Sequence, residues 1–252
     1  MFKLINMDKK VLFLFDVDGT LTKPRLKITD EVVAYLQCVV GQNKDKYHLG
    51  FVGGSDLKKQ EEQLGKENMD LFTWKFAENG LMAHHENELI NQTSLISELG
   101  EDNYKSLINA CLKVMSETEI PVKRGNFIEL RNGMINISPI GRSCSQLERE
   151  QFYEWDNIHQ IRKQMIEQIK MLVPHLNLTY SIGGQISMDI FPQGWDKTYC
   201  LKFLKGKYDV IYFFGDKTEE GGNDYEIFND PRVKAFNVTS YEDTMDILQS
   251  LI

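Results

Sequence analysis

The stretch Val11-Leu12-Phe13-Leu14-Phe15-Asp16-Val17-Asp18-Gly19-Thr20-Leu21-Thr22 decides the fold of this chain. Its leading apolar run is too short to cross a membrane and predicts a strand buried on both faces, as in a parallel sheet. The strand stops on acid. Asp16 and Asp18 stand two apart with Gly19-Thr20 behind them, so a tight turn offers two carboxylates at the carboxyl end of a strand, where open α/β sheets bind ligands. Such a pair can hold a divalent cation, attack phosphorus or move a proton. Asp and Gly also favour plain solvated turns, so the other strands have to decide between these readings.

Outward from that stretch the same pattern repeats. Pro24 delays the next helix, and Thr29 or Asp30 caps one that runs to about residue 40. Residues 48–52 predict a second buried strand, broken by Gly53-Gly54-Ser55-Asp56, which caps a helix ending at Gly65. A third apolar run, 71–77, ends at Glu78-Asn79-Gly80, a hairpin turn before 81–84. Far along the chain Lys197 begins a helix, and residues 210–214 predict a buried strand that again ends on acid, Gly215-Asp216, followed by Gly221-Gly222-Asn223-Asp224. A last strand over 233–238 and a helix over 241–251 close the pattern.

Between these parts the character changes. Residues 98–118 and 156–172 predict helices, and Phe127 to Ser138 reads as two alternating strands around Asn132-Gly133. With a two-residue turn, Arg131 pairs with Met134 and Glu129 with Asn136. Ile128, Leu130, Ile135 and Ile137 then share one face, and Glu129, Arg131, Asn136 and Ser138 the other. Alternation over 186–190 likewise sets Ser187 and Asp189 opposite Ile186, Met188 and Ile190. The predicted fold is therefore α/β: a parallel-sheet core over 1–89 and 194–252, with an inserted α/β domain over 90–193 that contains an antiparallel sheet.

Composition narrows the function. A net charge of −8 with no long basic run argues against nucleic acid and anionic membranes as partners. No segment approaches the ~20 apolar residues of a membrane span, and the opening MFKLINMDKK lacks the apolar centre of a secretory leader, so a cytoplasmic protein is expected. Cys38, Cys111, Cys144 and Cys200 form no C-x-x-C pair, which predicts reduced thiols.

Right-handed crossovers bring the carboxyl ends of parallel strands to one edge, so Asp16, Asp18, Ser55 and Asp216 can converge with Lys197. Asp16 and Asp216 suit Mg²⁺, which prefers hard oxygen ligands, while Ser55 and Lys197 suit phosphoryl oxygens. From Pro121 to Arg149 five basic side chains face two acidic ones, a local excess in an acidic chain. The usual fate of a lone arginine is a surface ion pair, but a cluster of them beside a phosphate site favours anion capture.

The segments FDVDGTLT, VGGSD, FIELRNGMINISPIGRSCS, SIGGQISMDIFPQGWDK and YFFGDKTEEGGND resemble the eukaryotic phosphomannomutases, of the haloacid dehalogenase-like superfamily, almost end to end. That resemblance implies a Rossmann-like core with an inserted cap. It implies Asp16 as a nucleophile that becomes an aspartyl-phosphate, and Asp18 as acid/base whose main-chain carbonyl also touches Mg²⁺. It further implies Ser55 and Lys197 as phosphoryl-stabilising groups, with Asp216 and Asp224 at the metal. Sugar-phosphate contacts are implied at Arg25, Arg131, Arg142, Arg149, Ser187 and Asp189, and a second cation at Phe228, Asp230 and Val233. The implied activity interconverts mannose 6-phosphate and mannose 1-phosphate with a hexose 1,6-bisphosphate activator, supplying GDP-mannose synthesis, in a homodimer formed through the caps. A sugar-phosphate phosphatase on the same core, a mutase that also takes glucose phosphates, and a catalytically silent sugar-phosphate sensor are the alternatives.

Overall fold

The computed structural model describes residues 9–252; residues 1–8, read above for a leader, lie outside them. The chain divides into two units, one holding the chain up to Gln92 and again from Trp195, the other Thr93–Gly194.

In the first unit the apolar run forms β1 (Val11–Phe15), buried at every position. It is followed by α1 (Asp30–Gln42), capped by Thr29, then β2 (Tyr47–Val52) and α2 (Leu57–Leu64), capped by Asp56. Next come β3 (Trp74–Ala77), β4 (Met82–His85) and β5 (Glu88–Gln92). Strand β5 escapes a sequence reading because four of its five residues are exposed, leaving no alternation to detect. It carries the sheet three residues past the boundary expected at 89.

The second unit contains α3 (Leu95–Leu99), α4 (Glu101–Glu117), β6 (Ile128–Leu130), β7 (Ile135–Ile137), α5 (Gln146–His159), α6 (Ile161–Leu172), β8 (Leu178–Gly183) and β9 (Ser187–Pro192). The helix expected over 98–118 is α4, starting three residues later, and the one expected over 156–172 is split between α5 and α6. Gly100, at φ 75°, separates α3 from α4, and Gln160, at φ 53°, separates α5 from α6. At the second break the buried carboxylate of Asp156 accepts from Arg162 N at 3.0 Å and from Arg162 Nε at 2.6 Å, holding the chain across the corner. The sheet order is β6-β7-β9-β8, with the register expected from the Asn-Gly turn: Glu129 opposite Asn136, and Arg131 N–H donating to Met134 O at 2.8 Å. Ile135, Ile137, Met188 and Ile190 pack with Leu107, Cys111 and Val114 of α4 and with Ile166 and Ile169 of α6. Those α4 side chains are thus buried within the unit; Leu112 remains exposed. Leu130, expected on the apolar face, is 47% exposed, because it ends a three-residue edge strand.

The chain returns to the first unit through a 3₁₀ turn at Lys197–Phe203, where a helix was expected, and then forms β10 (Val210–Gly215), α7 (Tyr225–Phe228), β11 (Lys234–Asn237) and α8 (Tyr241–Leu251). The seven-stranded sheet runs β11-β10-β1-β2-β3-β4-β5, parallel from β11 to β3 and antiparallel at β4 and β5. Strand β1 lies between β10 and β2, with Phe15 level with Phe214 on one side and Phe51 on the other. The residues that follow each of these strands therefore emerge together at one edge. All four cysteines are free thiols.

Candidate active site

Asp16 directly follows β1, and its N–H still donates to Phe214 O at 2.9 Å, so the sheet itself fixes its position. The turn beyond it is closed by Gly19 N–H to Thr22 O at 2.7 Å and by Leu21 N–H to Val17 O at 3.0 Å. Gly19 has φ +81°, and a Cβ there would collide with the Asp216 carboxylate, so only glycine serves both the turn and the approach of β10's acid.

Lys197 is the charge centre of this edge. Its Nζ donates to Asp16 Oδ1 and, at 2.5 Å, to Asp224 Oδ1, and all three side chains are almost wholly buried. Asp224 is held from its other oxygen by Lys217 N–H at 3.1 Å. Burial pushes the Asp16 carboxyl up to about 6; the Lys197 charge opposes this and Asp224 adds to it. Burial by itself would depress Lys197, but the two carboxylates outweigh it and hold the ammonium above its ordinary range. The Asp216 carboxyl is also raised, chiefly by burial, with Lys217 opposing.

Carboxylate oxygens of Asp16, Asp216 and Asp224 lie within 4.8 Å of one another, and Asp216 Oδ1 is buried without a hydrogen-bond partner among the described residues. A hard oxygen set with one orphaned buried oxygen fits a divalent cation such as Mg²⁺. The Asp18 carboxylate stands outside that cluster. Its Oδ1 accepts from Gln63 Nε2 at 2.6 Å and from Arg25 N–H at 2.7 Å, and Gln63 also donates to Thr22 Oγ1 at 2.7 Å. Ser55 joins Asp16, Asp18, Gly53, Gly54, Gln60, Gln63, Lys217 and Asn223 around a cavity of about 190 Å³. Arg25, at φ 62°, enters this unit's site through its main chain.

Sequence reasoning missed Gln60, Gln63, Lys217 and Asn223. Lys217 and Asn223 sit beside expected ligands in sequence. Gln60 falls with Leu64 on the buried stripe of α2, and a glutamine on that stripe is the signal that could have found it.

In the second unit, Glu129, Asn136, Asp189 and Ser181 form one row across four strands. Asn136 Nδ2 donates to Asp189 Oδ1 at 2.6 Å, and Arg142 Nη1 donates to Asn136 Oδ1 at 2.5 Å. Glu129 takes Arg131 Nη2 at 2.9 Å and stands 3.5 Å from Arg142 Nε; the hydrogen bond from Arg131 lowers its pKa. Arg131, Arg142 and Asp189 are thus brought together. Ser187 begins β9, opposite Gly183, and Arg149 lies in the first turn of α5. Asp230, expected near a second cation, has its carboxylate taken by Arg232, with Nη2 at 2.6 Å and Nε at 2.8 Å.

A parallel sheet whose inner strand ends in Asp-x-Asp, met by a buried lysine and two further acids from later in the chain, defines a haloacid dehalogenase-like fold and site. Solved structures agree on the fold. The chain aligns over 96% of its length with trehalose-6-phosphate phosphatase of Aspergillus fumigatus (TM-score 0.61, 16% identity, 92% of that chain). It also aligns over 96% of its length with IMP-nucleotidase of Plasmodium falciparum (TM-score 0.60, 15% identity, 68% of that chain). At the sequence level the family profile described as eukaryotic phosphomannomutase matches residues 36–252. Similar chains include phosphomannomutase 1 of Dictyostelium discoideum, 54% identical over 98% of both chains, and phosphomannomutase of rice (Oryza sativa subsp. indica), 52% identical over 96% of this chain and 95% of that one. The chain belongs to the eukaryotic phosphomannomutase family, and is an enzyme of the phosphate-moving isomerase type. Among the described residues, no helix is long and apolar enough to cross a membrane.

Proposed function

We propose that this chain interconverts mannose 6-phosphate and mannose 1-phosphate, activated by a hexose 1,6-bisphosphate, as a step toward GDP-mannose. The carrying observation is the meeting of Asp16, Lys197, Asp224 and Asp216 at one sheet edge in a chain of this family. The Asp16 carboxylate attacks a phosphoryl group of the bisphosphate, forming an aspartyl-phosphate as the bond from phosphorus to the sugar oxygen breaks. Burial leaves this carboxylate poorly solvated, which favours nucleophilic attack. Asp18, held in place by Gln63, gives its proton to the departing sugar oxygen. It then takes a proton from the hydroxyl that recovers the phosphoryl group after the monophosphate has turned over.

Lys197 and Ser55 bind phosphoryl oxygens. Asp16, Asp216, Asp224 and the main-chain carbonyl of Asp18 would hold Mg²⁺, which supplies neutralisation of phosphoryl charge when bound. Arg25, Arg131, Arg142, Arg149, Ser187 and Asp189 bind the sugar phosphate, since guanidinium groups pair bidentately with phosphate. We assign the working form as a homodimer.

The test is incubation with mannose 1-phosphate, Mg²⁺ and glucose 1,6-bisphosphate. Mannose 6-phosphate as the main product supports the mutase. Rapid release of inorganic phosphate with little 6-phosphate would make the chain a phosphatase instead.

A further inference from the structure

Gln60 is 1% exposed, and neither its Oε1 nor its Nε2 has a hydrogen-bond partner among the described residues. An amide buried in this way loses its hydration at both ends with nothing in return, and a ligand that pairs with it would recover that cost. Its surroundings indicate what that is. The side chain lines the 190 Å³ cavity shared with Asp16, Asp18 and Ser55, and Nε2 lies 2.6 Å from where a Cβ on Gly53 would stand. Any larger residue at position 53 would displace the amide from this wall. The cavity has room for several water-sized groups at ~30 Å³ each, enough for a phosphoryl group with its oxygens.

Two other polar groups of that wall are engaged within the protein. Gln63 is engaged by Asp18 and Thr22, and Asp16 by Lys197. Lys197 supplies donors only, and the carboxylates supply acceptors only when ionised. Gln60, like Ser55 and Asn223 of this cavity, is an uncharged group with both a donor and an acceptor, and of the three it is the one whose polar atoms are fully buried and unpartnered among the described residues.

We propose that Gln60 is a substrate-contacting residue of the phosphoryl pocket, its Nε2 donating to a phosphoryl oxygen and its Oε1 accepting from the O–H group beside it. This rests on the assignment of the cavity as a phosphoryl site and extends it to a residue whose amide has no partner among the described residues.

The experiment compares full-length wild type with Gln60→Met and Gln60→Leu, melting each with and without inorganic phosphate, in the presence and absence of Mg²⁺. Without phosphate, removing the orphaned amide raises the melting temperature by about 2–4 °C. With phosphate, the affinity extracted from the thermal shift falls about 10-fold or more in both variants. A variant that melts lower or fails to fold, or one with an undiminished phosphate shift, overturns the proposal and makes Gln60 a structural or water-bound residue. Wild-type turnover of mannose 1-phosphate is measured separately. Loss of the phosphate shift in the variants with no mannose 1-phosphate turnover in wild type would retain Gln60 and reject the mutase; turnover with an undiminished shift would do the reverse.

Discussion

Lys197 is 1% exposed and gripped by carboxylates that are 6% and 0% exposed, whereas Arg131, Arg142 and Glu129 of the second unit keep between 35% and 47% of their side chains in solvent. Both regions gather opposite charges on the polar edge or face of a sheet, but in media of different polarity. In the first, each charge depends on its partners, because an uncompensated ion in a buried site is strongly unfavourable. In the second, water screens the pairs, and each is worth on the order of 0–1 kcal/mol. Such pairs can open to admit an anion. The buried knot suits a fixed chemical centre, and the exposed row suits reversible capture of an anion.

Substitutions should separate the two regions. The largest effect is expected from Asp16→Asn, which removes the carboxylate proposed to attack and should lower turnover about 10⁴-fold or more in a mannose 1-phosphate assay. Lys197→Met leaves Asp16 and Asp224 as buried like charges and should destabilise the folded state by about 3–5 kcal/mol, read from urea unfolding. Added Mg²⁺ should restore part of that loss, and no restoration would count against a cation site at Asp16, Asp216 and Asp224. Arg142→Ala, by contrast, should change stability by less than about 1 kcal/mol while raising KM roughly 10-fold with kcat largely kept. An equal fall in kcat would move Arg142 into the reacting centre and erase the contrast.

The smallest effects are opposite slopes with pH. Asp16 in the folded state is raised from 3.8 to about 6, mainly by burial, so the folded state binds this proton more tightly than the unfolded one. Its neutral form is favoured below about pH 4, and in chelator that advantage is lost as pH rises through about 6. Glu129 is lowered by its hydrogen bond to Arg131 and by the nearby arginines, so its contribution is present above its ordinary 4.5 and is lost as pH falls through the lowered value. Melting curves of wild type, Asp16→Asn and Glu129→Gln between pH 3 and pH 7 should show the first slope vanish in one variant and the second, much shallower, in the other.

Much of this was legible in one dimension. Two-fold alternation placed Glu129, Arg131 and Asn136 on one face and fixed the pairing of Glu129 with Asn136, because a two-residue turn leaves only one register. Buried runs ending on Asp16, Ser55 and Asp216 told of three strand ends at a common edge, because parallel strands joined by right-handed crossovers leave their carboxyl ends on the same side. Helix breaks at Gly100 and Gln160 were not legible. The first interrupts a run of helix formers at a residue that helices tolerate, and the second depends on Asp156 gripping Arg162 across the corner.

By itself, the order of residues determined the α/β class, the strands and the chemical types at their ends, since burial periodicity and turn chemistry act over a few neighbouring positions. Tertiary structure alone decided that Lys197 is buried between Asp16 and Asp224, that Asp18 answers to Gln63, and that, among the described residues, one Asp216 oxygen and the Gln60 amide are buried without partners. Those facts depend on which distant side chains share a low-dielectric space, and the free energy of a charge or an amide there is set by its neighbours in three dimensions.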